Sequence, residues 1–347
     1  MDTHASPAHN GCMTTVGEIG ELALIEKIRN LVASANLAQP VASDFSLKLG
    51  IGDDAAAWIL GDGIEVITTD TMVEDVHFTR FTTSWSDLGW KAMAVNLSDI
   101  AAMGALPLYA VVTLGLPRGI PVSAVEDLYS GMIEACGAYQ AQIVGGDIVS
   151  SAIFFCSVTM NGVCLEEPLT RNSAVKGDLI AVTGALGESA AGLLFLKELE
   201  KPDLEKYVHQ LIQIHRRPKP LLRIGQMLPM MGISCAMDIS DGLGSDLSKL
   251  CRESNIAARV DIDRIPISNL LLKTLPNKAL DLALNGGEDY QLIFTGTPAC
   301  IESALVKIPE AVIVGEIIEG VPGDVHFQNS SGDKVEMTTQ GWEHLKG

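Results

Sequence analysis

Carboxylates recur in this chain as short tags, most of them beside glycine or threonine. Gly52-Asp53-Asp54, Thr68-Thr69-Asp70, Gly145-Gly146-Asp147, Asp238-Ile239-Ser240-Asp241-Gly242 and Gly286-Gly287-Glu288-Asp289-Tyr290 are spread over the whole length. A sixth acid, Asp99, interrupts an apolar segment. Hard oxygen ligands at the ends of strands and helices suit a site that gathers metal ions around phosphate groups. The familiar phosphate loops are absent: there is no Gly-x-x-x-x-Gly-Lys-Ser/Thr, and no Gly-x-Gly-x-x-Gly after a strand. A nucleotide enzyme built on this chain would have to hold phosphates through metal ions and backbone amides.

Each tag also has an ordinary reading. Asp53 and Asp54 are adjacent, so in extended backbone they point to opposite sides; one can face a site while the other binds local backbone, or both can sit in an exposed turn. Thr69 and Asp70 close a strand-like run and offer a hydroxyl and a carboxylate, although an Asp there also caps turns. Asn96 and Asp99 share a helix face, and a buried carboxylate needs a partner, either a metal or neighbouring donors. Asp238 and Asp241 precede a helix whose first amides, with Ser240, are placed to hold a phosphate or simply to be capped. His77 and Arg171 say little singly. Arg171 becomes a phosphate clamp if two domains meet around it.

The elements that must position these groups follow from periodicity. Residues 18 to 33 have helical spacing, with Ile19, Leu22, Ile25, Ile28 and Val32 on one side. Residues 47 to 60 and 64 to 69 read as strands around Gly61-Asp62-Gly63. Ser86 is placed to cap a buried helix from about Asp87 to Met103, ended by Gly104 and Pro107. Strands are expected at Tyr109 to Leu116 and Ile153 to Val163, with a helix capped by Ser123 between them. Gly-Gly-Asp at 145 to 147 reads as a turn leading to a strand, matched by Gly-Gly-Glu-Asp in the second half. A connection is placed at 164 to 176. Beyond it strands are expected at 178 to 183, 234 to 238, 290 to 295 and 312 to 317, with helices at 187 to 199 and near 244 to 254. A basic and apolar stretch, 209 to 228, is split by Pro218 and Pro220. Strands and helices mixed in both halves give an α/β (α+β) chain of two domains. The division is a flexible extension 1–16, an N-terminal domain 17–163, the connection 164–176 and a C-terminal domain 177–347.

Composition sets the outer limits. The chain has 347 residues, 47% of them hydrophobic, enough for two packed cores. A net charge of -19 argues against nucleic acid as a partner. It also means that a phosphate ligand would meet an anionic protein, so cations must stand between them. Seven cysteines without a Cys-x-x-Cys pair fit reduced thiols in the cytoplasm. No apolar run approaches the roughly 20 residues of a membrane helix.

Taken in order, further segments join the acidic tags: Gly17-Glu18-Ile19-Gly20, Val76-His77-Phe78, Val95-Asn96-Leu97-Ser98-Asp99-Ile100 and Gly341-Trp342-Glu343-His344. From about residue 17 to the C-terminus the ordered set resembles the thiamine-monophosphate kinase family, of the aminoimidazole-ribonucleotide synthetase superfamily. The resemblance implies ATP- and Mg²⁺-dependent phosphorylation of thiamine monophosphate to thiamine diphosphate. It implies that Asp54, Thr68, Thr69, Asp70, Asp99, Asp147, Asp238 and Asp241 bind Mg²⁺. It places Tyr129, Gly146, Asp147, Arg171 and Ser240 against ATP, and His77, Glu288 and Trp342 against the thiamine phosphate. It further implies a homodimer that pairs N-terminal mixed sheets. Other branches of the superfamily fit less well: Cys12 precedes the first helix and lies far from any Gly-rich loop, and the chain ends Leu345-Lys346-Gly347 without a terminal cysteine.

The acceptor implied is a phosphate monoester with its second pKa near ~6, already a nucleophile at neutral pH. It needs no general base; it needs relief from repulsion by ATP, where one pair of unit charges ~4 Å apart costs about 4 kcal/mol at an effective dielectric of ~20. Direct in-line transfer is therefore expected, with His77 positioning the acceptor and Trp342 stacking on a cationic ring.

Overall fold

The computed structural model describes residue 18 and residues 21–38, 46–61, 63–197 and 205–336. Trp342 and the extension 1–16 lie outside the described residues. Helix α1, Glu21–Ala38, belongs to a unit of its own and leaves Leu22, Ile25 and Ile28 exposed along one side.

The second unit, 42–342, contains two six-stranded sheets. The first uses β1 Ser46–Leu49, β2 Ala56–Leu60, β3 Gly63–Val73, β4 Leu106–Leu116, β5 Gln142–Ser150 and β6 Phe155–Cys164. Their order is β1-β2-β3-β6-β4-β5, antiparallel except for the β4–β5 edge pair. Alternation along β3 buries Val66, Thr68 and Met72 while Thr69 and Thr71 stay exposed. Helices α2, Trp85–Ala102, and α3, Val122–Tyr139, close the buried face around Met93, Leu97, Leu114, Leu128, Phe154 and Met160.

Four sequence expectations shift here. The strand expected over 47 to 60 is two strands, broken at Gly50 to Ala55 by the first acidic tag. The cap of α2 is Ser84, whose hydroxyl accepts from the Asp87 amide at 3.2 Å; Ser86 lies inside the helix. Pro121, not Ser123, stands at the start of α3. Gly145-Gly146-Asp147 is not a turn: it lies inside edge strand β5, in parallel register with Val111 to Thr113.

The second sheet uses β7 Leu179–Val182, β8 Cys235–Ile239, β9 Ala257–Asp261, β10 Gln291–Gly296, β11 Val312–Ile318 and β12 Val325–Gln328, in the order β12-β9-β11-β7-β10-β8. Only the β12–β9 edge pair is parallel. Helices α4 Glu188–Lys197, α5 Glu205–Arg216, α6 Leu222–Met230, α7 Leu243–Glu253, α8 Asn269–Thr274, α9 Ala279–Asn285 and α10 Pro298–Lys307 complete this half. One face of the sheet packs on α7 through Val182, Ile293, Leu247 and Leu250. The other packs on α6 and α10 through Phe294, Leu228 and Ile301. Ala102, the last residue of α2, belongs to this latter core, so α2 serves both halves.

Candidate active site

Three acids from three distant tags converge. Oxygens of Asp54, Asp99 and Asp238 lie within 4.8 Å of one another. Asp54 comes from the loop before β2, Asp99 from the last turns of α2, and Asp238 from β8, where it pairs in register with Leu292. Thr68 on β3 donates its hydroxyl to Asp99, and Ser98 donates to Asp238 Oδ2 at 2.7 Å. Burial, then Asp70, Asp238 and Asp54, push the Asp99 carboxyl well above the ordinary range. Burial and Asp54 do the same to Asp238. Like charges crowded out of water favour either protonation or a bound cation. An all-oxygen set of this kind fits Mg²⁺ or a similar hard cation, and the two hydroxyl donors fix the carboxylates that would hold it.

Asp53 has the structural role. Its Oδ1 accepts from the Asp54 amide and its Oδ2 from the Arg171 amide, both at 3.0 Å, which ties the loop to residue 171. Burial and the neighbouring Asp54 push its carboxyl up to about 7, against the pull of Arg171. The Arg171 guanidinium forms a fork on Asp54: Nη2 to Oδ1 at 2.6 Å and Nε to Oδ2 at 3.1 Å. Here, therefore, the expected phosphate clamp grips a carboxylate of the triad.

The tag at 238 to 242 is organised by a residue that sequence reasoning missed. Asp246, fully buried in the first turn of α7, accepts from the amides of Ser240 at 3.0 Å and Asp241 at 2.9 Å. Those two amides are thus committed to the protein's own carboxylate rather than open to phosphate. Lys249, also unforeseen, pairs with Asp246 at 2.9 Å and with Asp241, and the two acids hold its ammonium above the usual range despite burial. The sequence signal was available: Asp246 shares the buried stripe of α7 with Leu243, Leu247 and Leu250.

The second-half tag divides its acids. Asp289 accepts from the Gly187 and Ser189 amides at 2.6 and 3.2 Å, at the start of α4, and burial pushes its carboxyl up to about 7. Glu288, at φ 67°, points elsewhere: Lys91 Nζ lies 2.8 Å from its Oε2. Burial alone would raise this carboxyl, but Lys91, His215 and His77 together outweigh it and hold the group below the usual value. His77 Nδ1 itself accepts from the Val73 amide at 3.0 Å.

Other expected residues stand apart from the triad. Thr69 lies on the opposite face of β3 from Thr68, bonded to the Val158 carbonyl and Thr159. Asp147 is exposed and bonds its neighbour, the Ile148 amide, at 2.9 Å. Its register runs through Thr113 and Ser157 to Thr71, three strands away, or about 14 Å. Gly146 precedes it in the same edge strand. Tyr129 packs on the first core from α3, next to Cys156.

This architecture can be set against known proteins. Residues 52–164 match the family model of the AIR synthase related protein N-terminal domain, and residues 175–326 match that of the C-terminal domain. The chain is therefore a two-domain protein of the AIR synthase related class. It is 34% identical over 315 residues to the thiamine-monophosphate kinase of Bacillus subtilis (strain 168), covering 87% of this chain and 94% of that one. Against the thiamine-monophosphate kinase of Aquifex aeolicus (strain VF5) it is 35% identical over 331 residues, covering 94% and 99%. A solved structure described as AaThiL complexed with AMPPCP and TMP aligns with TM-score 0.82 and 32% identity, over 96% of this chain and all of that one. Within the class, the chain belongs to the thiamine-monophosphate kinase family.

Proposed function

We propose that this chain transfers the γ-phosphoryl group of ATP to thiamine monophosphate, giving ADP and thiamine diphosphate. One observation carries the proposal: a carboxylate triad, with Asp54 and Asp238 buried and Asp99 half-buried, lies in a chain that follows the AMPPCP and TMP complex of a relative over 96% of its length. Asp54, Asp99 and Asp238 hold Mg²⁺, with Asp70 adding to the field and Thr68 and Ser98 orienting the ligands. Mg²⁺ bound there supplies neutralisation of charge between the phosphates of the two substrates. Thr69 and Asp147 are left out of this set, because their side chains lie on the open face of the first sheet.

The reaction needs no proton. A phosphate oxygen of the acceptor bonds to the γ-phosphorus, the bond from that phosphorus to the bridging oxygen of ADP breaks, and total charge is conserved. The protein's task is position and electrostatics. Arg171 binds ATP phosphate, His77 orients the acceptor phosphate, and Glu288 faces the cationic thiamine. Tyr109, Val111 and Val149 are exposed on the open face of the first sheet, and a second copy of the chain covers them.

Incubation with Mg²⁺, ATP and thiamine monophosphate should yield thiamine diphosphate and ADP in equal amounts. ADP without thiamine diphosphate would overturn the reading. Asp238→Asn should lower kcat by about 10³-fold or more, the loss expected when a main charge-stabilising group goes. The metal-free variant should melt no lower than the parent, since a like-charge contact is relieved.

A further inference from the structure

The strongest feature left unused is a lysine inside a buried helix. Lys91 is 2% exposed, on a stretch of α2 otherwise lined by Leu88, Ala92, Met93, Ala94 and Val95. A buried ammonium costs several kcal/mol unless it is paired. We propose that Lys91 is a positioning residue for the acceptor substrate: from the first half it fixes the Glu288 carboxylate of the second half, and so sets acceptor affinity. The inference rests on the kinase reading given above.

Lys91 and Ser98 are two turns apart on one face of α2. Ser98 bonds Asp238, and Lys91 bonds Glu288, so a single helix face sets the position of both a triad acid and the acceptor-side acid. His215, buried on α5, completes the arrangement. Its Nε2 lies 3.4 Å from Lys91 Nζ, and its Nδ1 lies 3.0 Å from Ser189 Oγ and 3.3 Å from Glu288 Oε2. An ammonium can only donate, so Nε2 must accept and the ring proton sits on Nδ1. Neutral His215 thus bridges without adding charge; burial and Lys91 push it down to about 3.

The Lys91 and His215 contacts to Glu288 both fall on Oε2, which among the described residues leaves Oε1 with acceptor capacity for a ligand. Without the ammonium, burial would drive the carboxyl toward its neutral form and weaken its pull on a cation. The surroundings are built to hold the geometry. Arg216 donates to the Thr82 carbonyl at 2.6 Å, Arg217 pairs with Asp87 at 2.7 Å, and Trp90 donates to the Pro218 carbonyl at 2.8 Å. The basic run at 215 to 217 therefore docks the second half on α2 and the segment before it.

The test uses the full chain with Mg²⁺, Lys91→Met, and calorimetric binding of thiamine monophosphate beside steady-state kinetics. Acceptor Kd and KM should rise at least about tenfold, while KM for ATP changes less than about twofold. Thermal midpoints fall for a purely structural pair as well; the split between substrates does not follow from lost stability. Equal weakening of both substrates, or unchanged acceptor binding, would overturn the inference. If Lys91→Met does not fold, Lys91→Arg keeps the charge but moves the donors. It should raise acceptor KM at least about threefold without moving that for ATP, and unchanged acceptor KM would overturn the inference equally. Failure of the unaltered chain to bind thiamine monophosphate overturns the kinase reading instead, and this inference with it.

Discussion

Two Gly-Gly-acid segments, one in each half, take opposite fates. In Gly145-Gly146-Asp147 the backbone is extended inside edge strand β5, and a Cβ on Gly146 would sit 2.0 Å from the Val112 carbonyl oxygen of β4. Glycine lets two strands close up there, and Asp147 projects from an exposed edge. In Gly286-Gly287-Glu288-Asp289 a Cβ on Gly287 would fall 2.7 Å from the Ser240 carbonyl oxygen. The Glu288 amide donates to that same carbonyl at 2.7 Å, and Glu288 and Tyr290 take left-handed backbone at φ 67° and 50°. Glycine here lets a loop press onto the 238 to 242 tag, and both acids are gripped. Identical small residues thus make close approach possible in each case. What differs is what approaches: a neighbouring strand in one case, the other side of the site in the other.

The contrast breaks if Glu288 proves as dispensable as Asp147. Glu288→Ala leaves the Lys91 ammonium buried and uncompensated, and should cost about 3 to 5 kcal/mol in urea unfolding; a loss under ~1 kcal/mol would mean that water reaches Lys91. His215 offers a smaller effect with a defined sign. An unfolded imidazole takes up a proton below about pH 6.5, whereas the folded one stays neutral until about 3. Stability from this group is complete above pH 6.5 and is lost as pH falls from 6.5 toward 3. At pH 5 the loss is about 2 kcal/mol. His215→Gln should flatten that part of the difference between unfolding at pH 7 and pH 5; an unchanged slope would show that the folded ring titrates normally. Asp147→Ala should change stability by less than ~0.5 kcal/mol, as for an exposed side chain bonded only to its neighbour.

Periodicity made much of the scaffold legible. The strands around 64 to 69, 109 to 116, 153 to 163 and 290 to 295 and the buried helix at 87 to 103 all have counterparts in β3, β4, β6, β10 and α2. Strands β5 and β9 escaped because Gly-Gly-Asp mimics a turn and because five residues, Ala257–Asp261, give too short an alternation. Within the site, Asp99 and Asp238 were legible as candidates from residue type and placement, whereas only the family resemblance singled out Asp54 from its neighbour Asp53. Asp246, Lys249 and Lys91 were passed over, for a common reason. A charge inside a helix reads as solvated surface until the partner is known, and the partner of Lys91 is 197 residues away along the chain. The warning lay in the company Lys91 keeps: a helix apolar nearly all round leaves no solvated side for it.

The fork of Arg171 on Asp54 has a consequence for any metal that enters the triad. Both Asp54 oxygens are already engaged by a guanidinium. Each oxygen keeps a second lone pair, so a metal ligated by Asp54 would share the carboxylate with the guanidinium, and repulsion between the two cations would lower its affinity. An anion arriving with the metal would relieve that repulsion. If Arg171 binds ATP as proposed, metal affinity measured alone should understate the affinity measured with ATP present.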